Sequence, residues 1–167
     1  MKTKRKQLII YNLFAFVLFI IPAFKLDLFN ENYSTLSLTT RGYLYLLFEG
    51  IIIGLILGYE TRKISNNYCA IIMFLSLLIG VIIPHHVPYN FQGNMHLLFA
   101  YIGFVGLVIC TIINCKIKKY RDIYLLFIFA SIIIYLKFGM VNTLSEIIVM
   151  FSSLSINYLL FNRYAKQ

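Results

Sequence analysis

Six apolar runs, separated by short polar and mostly basic punctuation, constrain this chain more than any other feature. They cover about residues 8–24, 42–59, 68–84, 95–114, 123–136 and 142–161. A helix needs roughly 20 apolar residues to cross about 30 Å of hydrocarbon, and most of the runs approach that length. The fifth is the shortest and closes at Lys137, whose stem is long enough to snorkel to an interface. Runs five and six can form a hairpin kinked around Lys137-Phe138-Gly139. Composition points the same way: 60% of the 167 residues are hydrophobic and 13% charged. Soluble domains carry about 45–50% and about 25%, and one of this size has too much surface for its volume to hide such a load. The fold class predicted is all-α, a polytopic integral membrane bundle of about six transmembrane helices forming one domain over residues 1–167.

The charges orient it. The opening Met1-Lys2-Thr3-Lys4-Arg5-Lys6 followed by an apolar run looks like a secretory signal, but no small-x-small cleavage site follows and more spans do. The first run is read as a retained helix. With the N-terminus inside, Lys2, Lys4, Arg5, Lys6, Arg62, Lys63, Lys116, Lys118, Lys119, Arg121, Arg163 and Lys166 are cytoplasmic. Only Lys25, Arg41 and Lys137 of the 15 basic residues stay outside. That asymmetry follows the positive-inside rule and predicts an N-in/C-in, multi-pass protein of the cell membrane. The same placement accounts for the formal charge of +9 without nucleic acid. Anionic inner-leaflet lipids are the partners expected at Lys116, Lys118, Lys119 and Arg121. The cysteines, Cys69, Cys110 and Cys115, fall near cytoplasmic ends, where thiols stay reduced. Their spacing is not that of a zinc site, so no metal is assigned, and no motif implies a cofactor.

Packing signals are legible as well. Gly50, Gly54 and Gly58 form a small-residue row in the second run, suited to close helix contact within the bundle or to a homo-oligomer face. Ala100 and Gly103 form a similar face in the fourth. Tyrosines at run ends, among them Tyr11, Tyr43, Tyr59, Tyr68, Tyr120 and Tyr158, suit an interfacial belt. The longest loop, Lys25 to Arg41, lies outside and is rich in Ser, Thr and Asn; its Asn32-Tyr33-Ser34 has the pattern of a glycosylation sequon.

Chemistry concentrates in few residues. Of six acids, Asp27 and Glu31 lie in the outer loop, and Glu60 and Asp122 lie beside basic clusters. Glu49 and Glu146 lie within runs, where an ionised group costs about 2.5 kcal/mol or more unless it faces the bundle interior or water. His96 opens the fourth run from the same outer side, with His85 and His86 just above it. At about 100° per residue, Asn142, Glu146, Ser153 and Asn157 share one narrow face of the sixth run. These eight residues, Glu49, Glu146, His96, Asn142, Ser153, Asn157, His85 and His86, are the candidates for ligand binding or a proton relay.

Three functions fit such a constellation. The outer polar residues bind or move a small ligand or proton. Alternatively, they only lock helices together, and the protein is an accessory or immunity-type membrane protein acting through protein or lipid partners. In the third, Glu and His serve an intramembrane hydrolase or transferase, against which no HExxH or GxSxG pattern appears. Six spans in this length are similar in size to the substrate-binding subunits of vitamin transporters, an analogy of size without a shared motif.

Overall fold

A computed structural model of the chain describes residues 2–65, 68–85 and 90–164. Those residues form six α-helices and no strand: α1 (Lys2–Ile20), α2 (Thr40–Ser65), α3 (Tyr68–Ile82), α4 (Phe91–Asn114), α5 (Lys118–Phe138) and α6 (Thr143–Tyr164). Each apolar run of the sequence lies largely within one helix. Three of the helices, over Thr40–Arg62, Phe91–Asn114 and Thr143–Arg163, are long and apolar enough to cross a membrane, and shorter apolar stretches occupy Ile9–Phe24 and Ile71–Ile82.

The bundle is inverted relative to a soluble protein. Leu13, Ile113, Leu126, Phe129 and Leu136 are exposed on its outside, while Glu49, Glu60, His96, Asn142, Ser153 and Asn157 are buried. So large an apolar exterior requires lipid or another apolar cover.

The ends of α1, α3 and α5 and the starts of α2, α4 and α6 meet at one end of the bundle, the loop end, where residues 21–39 connect α1 to α2. α4 docks on α3, α3 on α2, and α2 on α6, with α5 on the flank of α6 and α1 against both α2 and α6. The glycine row of α2 is occupied inside the chain: a Cβ at Gly50 would strike Val81, and one at Gly54 or Gly58 would press on Phe74, all side chains of α3. One apolar core joins Ile53, Leu57, Met73, Leu107 and Leu154 with Phe19 and Tyr33. A second joins Cys115, Tyr124, Ile156 and Leu160 where α4, α5 and α6 meet. The α5–α6 turn is closed by Gly139 at φ 71°, a left-handed position that favours glycine.

The loop end is built by satisfying orphaned backbone groups, since a helix leaves its last carbonyls and first N–H groups unpaired. Pro22 has no N–H to offer the Leu18 carbonyl, and the Tyr45 hydroxyl donates to it at 2.6 Å. The Tyr33 hydroxyl donates to the neighbouring Phe19 carbonyl. At the end of α3, Tyr43 donates to the Ile82 carbonyl at 2.6 Å, which gives that tyrosine a specific partner besides an interfacial position. At the start of α6, the Thr143 and Leu144 N–H groups donate to the Glu31 and Leu28 carbonyls. The 21–39 segment is thereby a docked element, not a free loop. It contains a 3₁₀ turn, Tyr33–Leu38, opened by a capping box in which Asn32 and Thr35 exchange hydrogen bonds.

Asp27 holds the exposed turn before it. Its carboxylate accepts from the Asn30 side chain at 2.8 Å and from the Phe29 and Asn30 backbone N–H groups. The Asn30 side chain first, and then those N–H groups, hold the Asp27 carboxyl below its ordinary 3.8. A lowered folded-state value means the turn is stabilised at every pH above 3.8, and the stabilisation is lost as pH falls through the folded value. The Asn30 side-chain NMR signals are therefore expected to hold constant from neutral pH and to shift with a midpoint below 3.8; a midpoint above it would contradict this geometry.

Candidate functional site

Glu49 sits about two and a half turns into α2, pointing into a cavity of about 160 Å³ at the loop end. The walls come from five helices and the docked loop: Phe19 of α1, Leu46 and Ile53 of α2, Leu77 and Val81 of α3, His96 and Ala100 of α4, and Met150 of α6. Tyr33, Ser34 and Ser37 cover it from the loop. Glu49 is 3% exposed, and its Oε2 is buried with no hydrogen-bond partner. A buried acceptor left unpaired costs about 1–3 kcal/mol even when neutral, and more when ionised.

Glu146, partly buried at the start of α6, approaches from the other side of Tyr33. Its Oε2 accepts the Tyr33 backbone N–H at 2.8 Å. Tyr33 stands between Glu49 and Glu146, stacked on Phe19 with ring centroids 4.3 Å apart. Burial pushes its phenol up, and the charges of Glu49 and Glu146 push it further, so the hydroxyl stays a donor to Phe19.

His96 lies on the cavity wall with both ring nitrogens engaged. Nδ1 is 2.7 Å from the Ile83 carbonyl, which only accepts, so Nδ1 carries the hydrogen. Nε2 is 2.9 Å from the Ser34 hydroxyl, which donates to it in the neutral ring. The imidazole thus ties the end of α3 and the loop to α4. His85 packs beside it, with ring centroids 5.4 Å apart, and its backbone N–H donates to Ser37. His86 lies outside the described residues.

The polar face of α6 divides among separate tasks. Asn142 caps the helix: its Oδ1 accepts from the Ser145 N–H, its own N–H donates to Ser145 Oγ, and its Nδ2 donates to the Phe29 carbonyl. Ser153 shares a 2.9 Å hydrogen bond with the Tyr124 hydroxyl and joins α5 to α6. Asn157 is 1% exposed, deeper in the bundle. None of these three lines the cavity, so Glu146 is the member of that face drawn to the site.

Three residues of the cavity lining were not singled out from the sequence as site candidates. Tyr33 and Ser34 belong to the Asn32-Tyr33-Ser34 sequon pattern, which says nothing of a cavity, and with Ser37 they reach it only because the loop docks. Glu60, placed by the sequence beside a basic cluster, lies outside the cavity lining, is 0% exposed and accepts a hydrogen bond from Asn12 of α1. One signal marked it. Eleven residues separate it from Glu49, three turns plus about 20°, so the two acids of α2 share a face.

Among the described residues, no three His, Cys, Asp or Glu side chains come together as a metal site. No family model matches the chain, and no curated protein or solved structure matches it significantly.

Proposed function

We propose that this chain is a six-span, N-in/C-in protein of the cell membrane that binds a small ligand or a proton in the Glu49 cavity and moves it between the outer face and the bundle. The observation that carries the reading is the buried Glu49 Oε2, without a partner, on a cavity large enough to hold a small molecule. Ligand sites are concave, mostly apolar and furnished with a few convergent polar groups, and this cavity has that character. In this orientation the loop end is extracytoplasmic, and the docked Lys25–Thr39 segment is the cover through which a ligand enters. The basic cluster at Lys116, Lys118, Lys119 and Arg121 then faces anionic inner-leaflet lipids.

The geometry favours binding over the two alternatives. A hydrolase would use His96 as base or metal ligand, yet that ring is held at both nitrogens by Ser34 and Ile83. Other buried polar atoms, Asn157 Nδ2 and Glu60 Oε2 among them, also have no partner, and what sets Glu49 Oε2 apart from these two is that Glu49 lines the cavity and they do not.

A small-fragment library screened by ligand-observed NMR against the purified full-length protein tests the reading. Leu46→Phe narrows the cavity, and Glu49→Gln removes the carboxylate's charge while keeping its shape. Wild-type protein is expected to bind fragments that both variants lose while their folds stay intact; Glu146→Gln is expected to weaken the same fragments. If every fragment that binds wild type binds both cavity variants equally, the cavity is not a ligand site.

A further inference from the structure

The hydrogen-bonding state of the cavity wall determines what kind of ligand can complete it. Four polar side chains line the cavity besides Glu49, and each has already given away its hydrogen. Tyr33 donates to the Phe19 carbonyl, Ser37 to the Ser34 carbonyl, and Ser34 to His96 Nε2. His96 donates through Nδ1 to the Ile83 carbonyl. What remains facing the cavity is acceptor capacity: hydroxyl lone pairs and the Glu49 carboxylate, with Oε2 unpaired. Among the described residues no Lys or Arg lines it. Glu146 lies outside the lining and holds the backbone N–H of Tyr33, one of the lining residues.

From this we infer that the ligand is a small organic ammonium, its charged head donating to Glu49 and its apolar body filling the space between α2, α3 and α4. The assignment rests on the cavity being the ligand site, as proposed above, and names the class that site takes. Three observations make it specific. With Glu49 ionised the wall is all acceptor and rejects carbonyl, carboxylate and phosphate ligands, because their oxygens would meet lone pairs with no hydrogen between them. An ionised Glu49 favours a cation over a neutral donor, since a charge-assisted hydrogen bond is roughly twice as strong as a neutral one. The remaining lining, including Leu46, Ile53, Leu77, Val81 and Met150, is apolar, which a hydrated metal ion does not match and a hydrocarbon body does. Size sets the upper limit. An apolar protein cavity of about 150 Å³ accepts benzene, so about 160 Å³ takes one ring or a short branched chain beside the ammonium.

Benzylammonium, benzyl alcohol and benzoate share one shape and differ in charge, so titrating each into the full-length protein separates charge from size. Binding is taken as the component that Leu46→Phe removes, which excludes partition into lipid or detergent. Benzylammonium is expected to bind about tenfold more tightly than the alcohol, the worth of one charge-assisted bond over a neutral one, and benzoate is expected not to bind. Glu49→Gln is expected to erase the tenfold preference. Glu49→Asp, which keeps the charge but withdraws it by one methylene, is expected to retain part of the preference, and it carries the test if the Gln variant does not fold. Equal cavity binding of the ammonium and the alcohol by wild type, or an ammonium preference that survives in Glu49→Gln, overturns the ligand class and leaves the binding site standing. Failure of all three probes to show any component sensitive to Leu46→Phe removes the site itself, and this inference with it.

Discussion

Gly103→Leu is expected to abolish the native α3–α4 contact. Even a single Cβ at Gly103 would lie 2.6 Å from Leu77 Cγ and 2.8 Å from the Leu77 backbone nitrogen. A side chain can rotate away, but a helix backbone cannot move without carrying its neighbours. α3 also packs on α2 through Val81 and Phe74, so displacing it disturbs the glycine row of α2 and the cavity wall together. Over-packing of a filled interior costs about 1–3 kcal/mol for modest insertions, and four added carbons against backbone exceed that range. The expected result is loss of cooperative thermal unfolding in the purified protein. Gly106→Ala is the control. A Cβ there would meet only Met73, whose nearest atoms are side-chain carbons at 3.2 and 3.4 Å. Met73 Cβ moves with the α3 backbone, so the contact asks a few tenths of an ångström of α3, and replacing a helical glycine by alanine offsets that with up to about 1 kcal/mol of propensity. Gly106→Ala should therefore melt close to the wild-type temperature. Equal tolerance of Gly103→Leu and Gly106→Ala would mean that α3 and α4 do not pack as described.

The second large effect belongs to Tyr33. Its ring is 6% exposed and stacked on Phe19, its hydroxyl satisfies the Phe19 carbonyl, and its backbone N–H is held by Glu146. Tyr33→Ala removes the ring and the hydroxyl bond together, and truncating a buried aromatic costs about 3–5 kcal/mol. Tyr33→Phe removes only the hydroxyl and should cost about 1 kcal/mol, the usual worth of one hydrogen bond. The pair separates packing from bonding. If the loop is the cover of the cavity, Tyr33→Ala should also expose residues 21–39 to limited proteolysis at temperatures where Tyr33→Phe remains protected. Indistinguishable melting of the two variants would mean that the stacked ring contributes nothing to docking.

Both predictions concern contacts of different legibility. The small face containing Gly103 is visible in the sequence, because small residues one turn apart on an apolar helix mark close approach whatever the partner is. That the partner is Leu77 is not visible. Glu49 stood out for a local reason: a carboxylate in an apolar run is costly and must face something polar. His96 stood out for its position at the mouth of a run, and it does line the cavity, but its nitrogens are held by Ser34, 62 residues earlier, and by Ile83. The face shared by Asn142, Glu146, Ser153 and Asn157 is real as geometry on α6. It supplies a cap, a loop anchor, a bond to Tyr124 and a deeply buried amide, and not one continuous lining.

The sequence alone determined the helices and their apolar exterior, because hydropathy and helical periodicity are properties of consecutive residues and lipid-facing surface needs no particular partner. It also marked the glutamates of α2 and α6 that had to find a polar environment. Only the tertiary structure decided which polar groups were satisfied and which were left over. Tyr33 meets Glu146 across 113 residues of chain, and a hydrogen bond between such distant groups depends on how whole helices are placed, to within a few tenths of an ångström. The same placement turned an outer loop into the cover of a cavity and buried Glu60 against Asn12. It also left Glu49 Oε2 without a partner, which no reading of neighbouring residues along the chain could reveal.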